Sequence, residues 1–576
     1  MKLSIIGNIL RGGVNKCNYR SLAFVALLCF APFMVEARNI YIAPDADGTG
    51  DGSSWESPMM LTNYLVTANI KDGDVVRLKS GQYVAKIAQL TINNSVGLKI
   101  SGGFKGTDDT TIDEEFPYSE INFANYPASG SYVPFLCKMN SPYVAFFERI
   151  KFRGSRNAVF YKANNSGTLS LSDCHIISNG WRNYSGSNSN GGRGIHSEKG
   201  NLFMTNCVVA YNGMYSYPSS SYTSSYGDHG FGLYLKNTTA EIVGCKIFAN
   251  GSRIDQATTD SAVNVIRSGG RGMALYATGS TTLKAIGCDF LCNKSLMGYY
   301  GDKSTSVGVR GKGTGGTVVL DGLTTSGSLF KNCSWIANMN VNCHTYGGVN
   351  NDFGGALNVN LSSPSSIVNV DNCTFAYNMT DSPKASPGLE VWKGIVNVSN
   401  SVFVGNHKLG SCVAGADVMV RTGAVANVSY SMLGGVDNYY VNVEEIGEDK
   451  GTVNLNNIVM GDALLASETL SSTNLIEGFS KKTLTTSKTL QCLRYKVDKI
   501  DEVLAFDVHP KSKGGRYLNG AFVKDKVHSP AIDAGDPDAS YASETKPHAG
   551  RLNLGRYGGT EEASRSRPTG FNVIVR

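Results

Sequence analysis

Between residues 169 and 435 apolar and polar positions alternate in short runs that stop, turn and start again. The stretches LSLSDCHIISN (169–179), NLFMTNCVVAYN (201–212), AEIVGCKIFAN (240–250), LKAIGCDFLCN (283–293), LFKNCSWIAN (329–338) and VNVDNCTFAYN (368–378) follow one plan. An alternating strand runs into a tight turn, then come a cysteine, an apolar residue two places on and an asparagine five places on. VNVSNSVFVGN (396–406) and ANVSYSMLGG (426–435) continue the column with Ser401 and Ser431 in the cysteine's place. Alternation with a period of two marks strands, and the closing asparagine suits a turn. A glycine-rich strand precedes the next unit in GRGIHSE (192–198), GFGLYLK (230–236), GRGMALY (270–276), GGALNVN (354–360) and GADVMVR (415–421). Steps of 28 to 45 residues between cysteine-column positions are those of a solenoid. Each coil should therefore carry three short strands, stacked about 4.8 Å apart, and no helix. The fold class expected is all-β, a single-stranded parallel β-helix.

On these repeats the chain resembles the right-handed parallel β-helix superfamily of pectate lyases. Its G-G-A-[ILM] and F-x-x-N signatures are similar to repeats of polymorphic outer-membrane and adhesin-like β-helix proteins. IYIAPDADGTGDGSSWESP (40–58), GDVVRLKSGQY (73–83) and GGFKGTD (102–108) resemble the opening of exported bacterial β-helix proteins. VHSPAIDAGDP (527–537) and GRLNLGRYGGTEEASRS (550–566) resemble the closing segment of β-helix proteins with a choice-of-anchor label. The resemblance implies that the strand before the turn forms the second sheet and the cysteine strand the third. The glycine-rich strand then forms the first sheet, on which the lyases bind polysaccharide. Calcium enters only by this analogy, and no cofactor is otherwise indicated.

The ends need different sequence, because an open solenoid exposes unpaired backbone. Ser57 as N-cap and Pro58 at the first helical position predict a helix whose apolar face is Met60, Leu61, Tyr64, Leu65 and Ala68. That helix would plug the N-terminal end. The expected organisation is a signal peptide over 1–37, a cap with the first coils over 38–134, repeats over 135–440 and an irregular segment over 441–576 packing on the solenoid.

The leader changes the picture of charge. A basic stretch, an apolar core from Leu22 to Val35 and the A-x-A-like Val35-Glu36-Ala37 predict cleavage near Ala37 and a secreted or cell-surface protein. Removing the leader lowers the formal charge from +6 to about +3, too mild to indicate nucleic acid. No later segment is apolar enough to span a membrane, and a monomer is expected. Cys174, Cys207, Cys245, Cys288, Cys333 and Cys373, one per coil, predict a stacked column of thiols rather than a disulfide framework or a zinc site. Asp533, Asp536 and Asp538 in AIDAGDPD read as turn chemistry, since no regular calcium loop surrounds them.

Candidate chemistry lies on the glycine-rich strands. With Ile195, Leu233, Met273, Leu357, Leu389 and Val418 inward, the outward side chains are His196 with Glu198, Tyr234 with Lys236, and Tyr276. Asn358 with Asn360, Glu390 with Trp392, and Met419 with Arg421 follow. The row contains no acidic cluster on consecutive coils. Lys236 near His196 and Tyr234 is the one arrangement offering a base, which a uronate lyase needs for proton abstraction. The ligand-binding candidates are aromatic: Tyr276 and Trp392 on the strands, and Trp181, Tyr184, Tyr215, Tyr217, Tyr222, Tyr226 and Tyr299 in the preceding loops. Such rings offer flat apolar faces with polar tips. The expected function is binding of a polysaccharide along the first sheet and its loops. Lyase activity, in preference to glycoside hydrolysis, is the enzymatic alternative. A non-enzymatic adhesin or structural protein contacting a surface or host protein is the other.

Overall fold

The computed structural model describes residues 37–567 except 67–69, 85–89, 93–95, 124–134, 138–141, 156–157, 163–165, 181–193, 214–228, 252–270, 298–314, 343–353, 381–384, 409–416, 435–440, 444–450, 468–469, 471–475, 483–488 and 496–498. Three long sheets, every strand pair parallel, wind into a β-helix. The second sheet runs from Asn39–Ile42 to Thr452–Asn456, the first from Leu90–Ile92 to Val441–Val443, and the third from Gly81–Val84 to Val459–Met460. Neighbours within a sheet come from successive coils, and the solenoid continues through Met460.

The turn between the second and third sheets is set by the residue before the cysteine. Asp173, Asn206, Asn332, Asn372 and Asn400 have φ between 49° and 52°, and Gly244 and Gly287 have φ of 62°. Asp, Asn and Gly tolerate this left-handed region best. The cysteine that follows is buried, and at three places in its column the side chain supplies an acceptor to the coil before. Cys207 N donates to Cys245 Sγ at 3.3 Å, and Cys373 N donates to Ser401 Oγ at 3.1 Å. Serine can therefore continue the column: Ser401 N in turn donates to Ser431 Oγ. Every cysteine described with its side chain is a free thiol.

Five places beyond the cysteine the buried asparagines form a ladder. Each of Asn179, Asn212, Asn250, Asn293, Asn338 and Asn378 donates its backbone N–H and Nδ2 to Oδ1 of the next, at 2.9–3.1 Å. Each Nδ2 also donates to a carbonyl of the preceding coil, as Asn293 does to Ile247 O. The ladder closes where Asn406 Nδ2 meets Asp417 Oδ1 at 2.9 Å. Beside it the core stacks Trp335, Phe375 and Phe403 face to face with centroids 4.5 Å apart.

Three expectations need correction. Coils between Lys294 and Lys408 carry a fourth short strand after the asparagine (Lys294–Met297, Met339–Asn342, Met379–Thr380, His407–Lys408), which builds its own sheet. The N-terminal helix is Leu61–Val66; Met59 forms a parallel bridge with Ile42, so Ser57 and Pro58 are not its start. Leu61, Tyr64 and Leu65 are buried on the solenoid end, Met60 is exposed, and Ala68 lies outside the described residues. Finally, Leu275 rather than Met273 holds the inward register beside Leu233; Met273 packs against Phe231 instead.

The C-terminal segment lies along the third sheet. Ala463, Leu465, Val503, Val508, Ala531 and Leu554 cover its outward Leu291, Ile336, Ala376 and Val404. The left-handed turn asparagines bind the segment: Asn332 Nδ2 donates to Arg556 O and Gly558 O, Asn372 Nδ2 to Asn553 O, and Asp536 N donates to Asn400 Oδ1. Asp536 accepts Asp538 N within a turn, whereas Asp533 accepts Ala549 N and Ser566 Oγ from distant stretches and so ties parts of the segment together.

Candidate ligand-binding face

Strand register places the outward side chains of the first sheet in two parallel rows. One aligns Tyr161, His196, Tyr234 and Tyr276, then Val319, Asn358, Glu390 and Met419. The other, two residues on, aligns Glu198, Lys236, Thr278, Asp321 and Asn360, with Lys393 beside Asn360 across a bulge.

The first row is a ring ladder. His196 lies 4.7 Å from Tyr161 and 4.5 Å from Tyr234, and Tyr234 stacks on Tyr276 at 5.7 Å. His229 stacks on the same Tyr276 at 4.5 Å. Ring faces are spent on one another, and His196, Tyr234 and Tyr276 are only 6–7% exposed. Burial pushes the Tyr234 phenol up to about 12. It holds His229, which also lies near Arg271, down to about 4, so that ring is neutral at pH 7.

The second row is the more open one, with Lys236 exposed and Glu198, Thr278, Asp321 and Asn360 half-buried. Of the three expected catalytic residues, His196 and Lys236 share one carboxylate there, while Tyr234 meets His196 only ring to ring. Glu198 Oε1 lies 3.1 Å from His196 Nε2 and 3.9 Å from Lys236 Nζ. The His196 contact, ahead of the charges on His196 and Lys236, holds the Glu198 carboxyl below its ordinary value. Lys236 is thus one arm of an ion pair rather than an isolated base.

Asp321, which the sequence did not single out, anchors the middle of the row. Its carboxylate accepts Tyr276 Oη and Asn360 Nδ2, both at 2.8 Å, and pairs with Arg271. His229 Nδ1 accepts the backbone N–H of Arg271, tying the ladder to the row. The available signal was the double glycine of GGTVVLDGL (315–323), as in the neighbouring unit.

Towards the C-terminus the first row closes. Glu390, expected on display, is fully buried: Oε2 accepts Gly354 N at 3.0 Å and Oε1 accepts Arg421 Nη2 at 2.8 Å. Burial raises its pKa against the pull of Arg421. Arg421 lies 4.3 Å over the Trp392 ring, so that face of Trp392 is not open to a ligand. Trp181, Tyr184, Tyr215, Tyr217, Tyr222, Tyr226 and Tyr299 lie outside the described residues. Among the described residues no three His, Cys, Asp or Glu side chains converge on a metal site, and no helix is long and apolar enough to cross a membrane.

The sequence matches no family model and no curated protein. Among solved structures, the pectate lyase Pel9A aligns over 90% of this chain and 96% of its own, at 12% identity and a TM-score of 0.33. A DFA-IIIase from Arthrobacter chlorophenolicus A6 aligns over 72% and 91%, at 11% identity and a TM-score of 0.28. At such scores neither likeness bears on the site or on a reaction.

Proposed function

We propose that the protein is exported to the cell surface and binds a polysaccharide along the outer face of its first sheet. The observation that carries this reading is the row Glu198, Lys236, Thr278, Asp321 and Asn360, one polar side chain per coil, flanked over its first three coils by the stacked rings that end at Tyr276. Successive members lie about 4.8 Å apart. They combine acceptors (Glu198, Asp321), a donor (Lys236) and two side chains that do both (Thr278, Asn360), a mixture that suits sugar hydroxyls, and the ion pairs and Tyr276 hold them in place before a ligand arrives. The third sheet cannot serve in the same way where the C-terminal segment covers it. Export rests on the leader pattern before Ala37.

The reading is of a binding face, since Lys236 and Asp321 are both engaged in ion pairs. The test is a panel of acidic and neutral polysaccharides offered to the mature chain with and without calcium. Affinity, chain shortening and ultraviolet absorbance of unsaturated products would be followed. Binding that weakens at least about tenfold in Asp321→Ala or Lys236→Ala, the worth of one charged hydrogen bond, supports the reading. Shortening with absorbance makes the face a lyase site. No binding to any member, or binding indifferent to both substitutions, refutes it.

A further inference from the structure

Eight large apolar residues are exposed among the described residues, and three of them, Leu518, Val523 and Val527, fall within ten positions. They sit on the hairpin Arg516–Leu518/Ala521–Val523 and the loop that follows it. Asn519 and Gly520, at φ 49° and 90°, close it as a two-residue turn whose twist suits a hairpin. Register and alternation put Leu518, Ala521 and Val523 on one face, with Arg516 at its base held by Asp507 and Asp525, and Tyr517 with Phe522 on the other. The aromatic face is the packed one: Tyr517 lies 5.5 Å from Phe522, and the Arg565 guanidinium lies 3.6 Å over Phe522. The aliphatic face is left outward, with Leu518 39% and Val523 42% exposed.

Cations frame that face. Lys513, Lys524, Lys526 and Arg567 are exposed, and none makes an ion pair with a described residue. They are gathered by backbone contacts: Asp525 N donates to Ser512 O, Lys513 N to His528 Nδ1, and Arg565 N to Gly515 O. The nearby acids are occupied. Asp525 accepts Ser512 N and Arg516, Asp507 accepts Arg516, and Asp533 accepts Ala549 N and Ser566 Oγ. His528 reports the field: burial first, then Arg567 and Lys513, hold it below its ordinary value against the opposing pull of Asp533.

We infer that this hairpin and loop form a docking surface for an anionic lipid leaflet. Aliphatic side chains ringed by lysines match the boundary between acyl chains and phosphate headgroups. A soluble acidic polysaccharide or a nucleic acid strand would instead call for exposed ring faces, and here the rings are turned inward. The surface lies on the C-terminal segment, apart from the first-sheet face, so lipid contact does not depend on the polysaccharide reading.

The test is flotation of the mature chain with phosphatidylcholine vesicles, with and without phosphatidylglycerol. Binding should require phosphatidylglycerol and fall with added salt. In Lys513→Gln/Lys524→Gln/Lys526→Gln it should weaken by about a hundredfold, at roughly fivefold for each cation lost near the leaflet. Leu518→Ser/Val523→Ser should weaken binding at every salt concentration with an unchanged melting temperature. Equal binding to neutral vesicles, or no binding to either kind, overturns the inference. So does binding untouched by both variants, or capture by a soluble acidic polysaccharide with none by vesicles.

Discussion

The two ends of the solenoid are built differently. At the N-terminal end the helix Leu61–Val66 lies on the core, and Tyr64, 1% exposed, donates its hydroxyl to Asp74 at 3.0 Å. The same buried carboxylate takes Arg38 and the Lys71 N–H, so one group ties the helix, the start of the first strand and the turn that follows the helix. At the other end Thr452–Asn456 is the last strand of its sheet and is largely exposed. Leu455 continues the inward register of Val428 yet is 46% exposed, and no described helix covers it. A repeat specifies how a coil sits on its neighbour and is silent about where stacking stops. The asparagine ladder shows the same asymmetry: it begins with the neutral Ser155 N–H on Asn179 and ends on the carboxyl of Asp417.

Breaking the closed end should cost most. Tyr64→Ala removes a buried ring and a hydrogen bond to a buried carboxylate, and should lower unfolding free energy by about 4 kcal/mol in denaturant titration. Amide exchange in that variant should spread inward from Asn39–Ile42. A loss below about 1 kcal/mol would mean that the helix merely rests on the end.

The acidic end of the ladder should make stability depend on pH. Burial, opposed by the Asn406 and Gly434 hydrogen bonds, raises Asp417 to about 7. Glu544 is likewise raised to about 7 by burial, against its Asn553 and Gly559 hydrogen bonds. A carboxyl whose folded value exceeds its unfolded one binds its proton more tightly when folded. The contribution is full below about pH 4 and is lost as pH rises through 7, on the order of 4 kcal/mol for Asp417. Melting temperature should fall from pH 5 to pH 8, and Asp417→Asn should flatten the slope. An unchanged slope would put the dependence elsewhere.

An interior rung should cost less. Asn293→Ala leaves two Asn250 donors without their acceptor and Ile247 O without its donor, for about 2 kcal/mol. The open end should be nearly indifferent. Leu455→Ser should shift stability by under about 0.5 kcal/mol, whereas Val428→Ser, one coil inward at the same register, should cost several times more. Equal costs would show that the last coil is covered after all.

The solenoid was legible because each coil must repeat its turn, its cysteine position and its asparagine rung. The candidate face was less so. Asp321 lies on a strand whose outward Val319 is fully buried, so Val318–Leu320 reads as an apolar run without the alternation that marks a half-exposed strand. Glu390 follows the outward period correctly, yet its oxygens hold Gly354 and Arg421. Period alone tells which way a side chain leaves the sheet, not what lies over it. The fourth sheet escaped notice because two- to four-residue strands after an asparagine look like the loops they extend.

The thiol column bears on how the chain is made and handled. Cys174, Cys207, Cys245, Cys288, Cys333 and Cys373 are fully enclosed, so no oxidant in solution reaches their sulfurs once the coils are folded. Maturation of these coils then needs no oxidase and no isomerase to sort pairings, and a reducing or oxidising compartment should yield the same core. A folding chain exposes the same row of sulfurs before the coils close. Any oxidation of the column therefore dates from synthesis or unfolding, and its absence certifies that the solenoid closed in time.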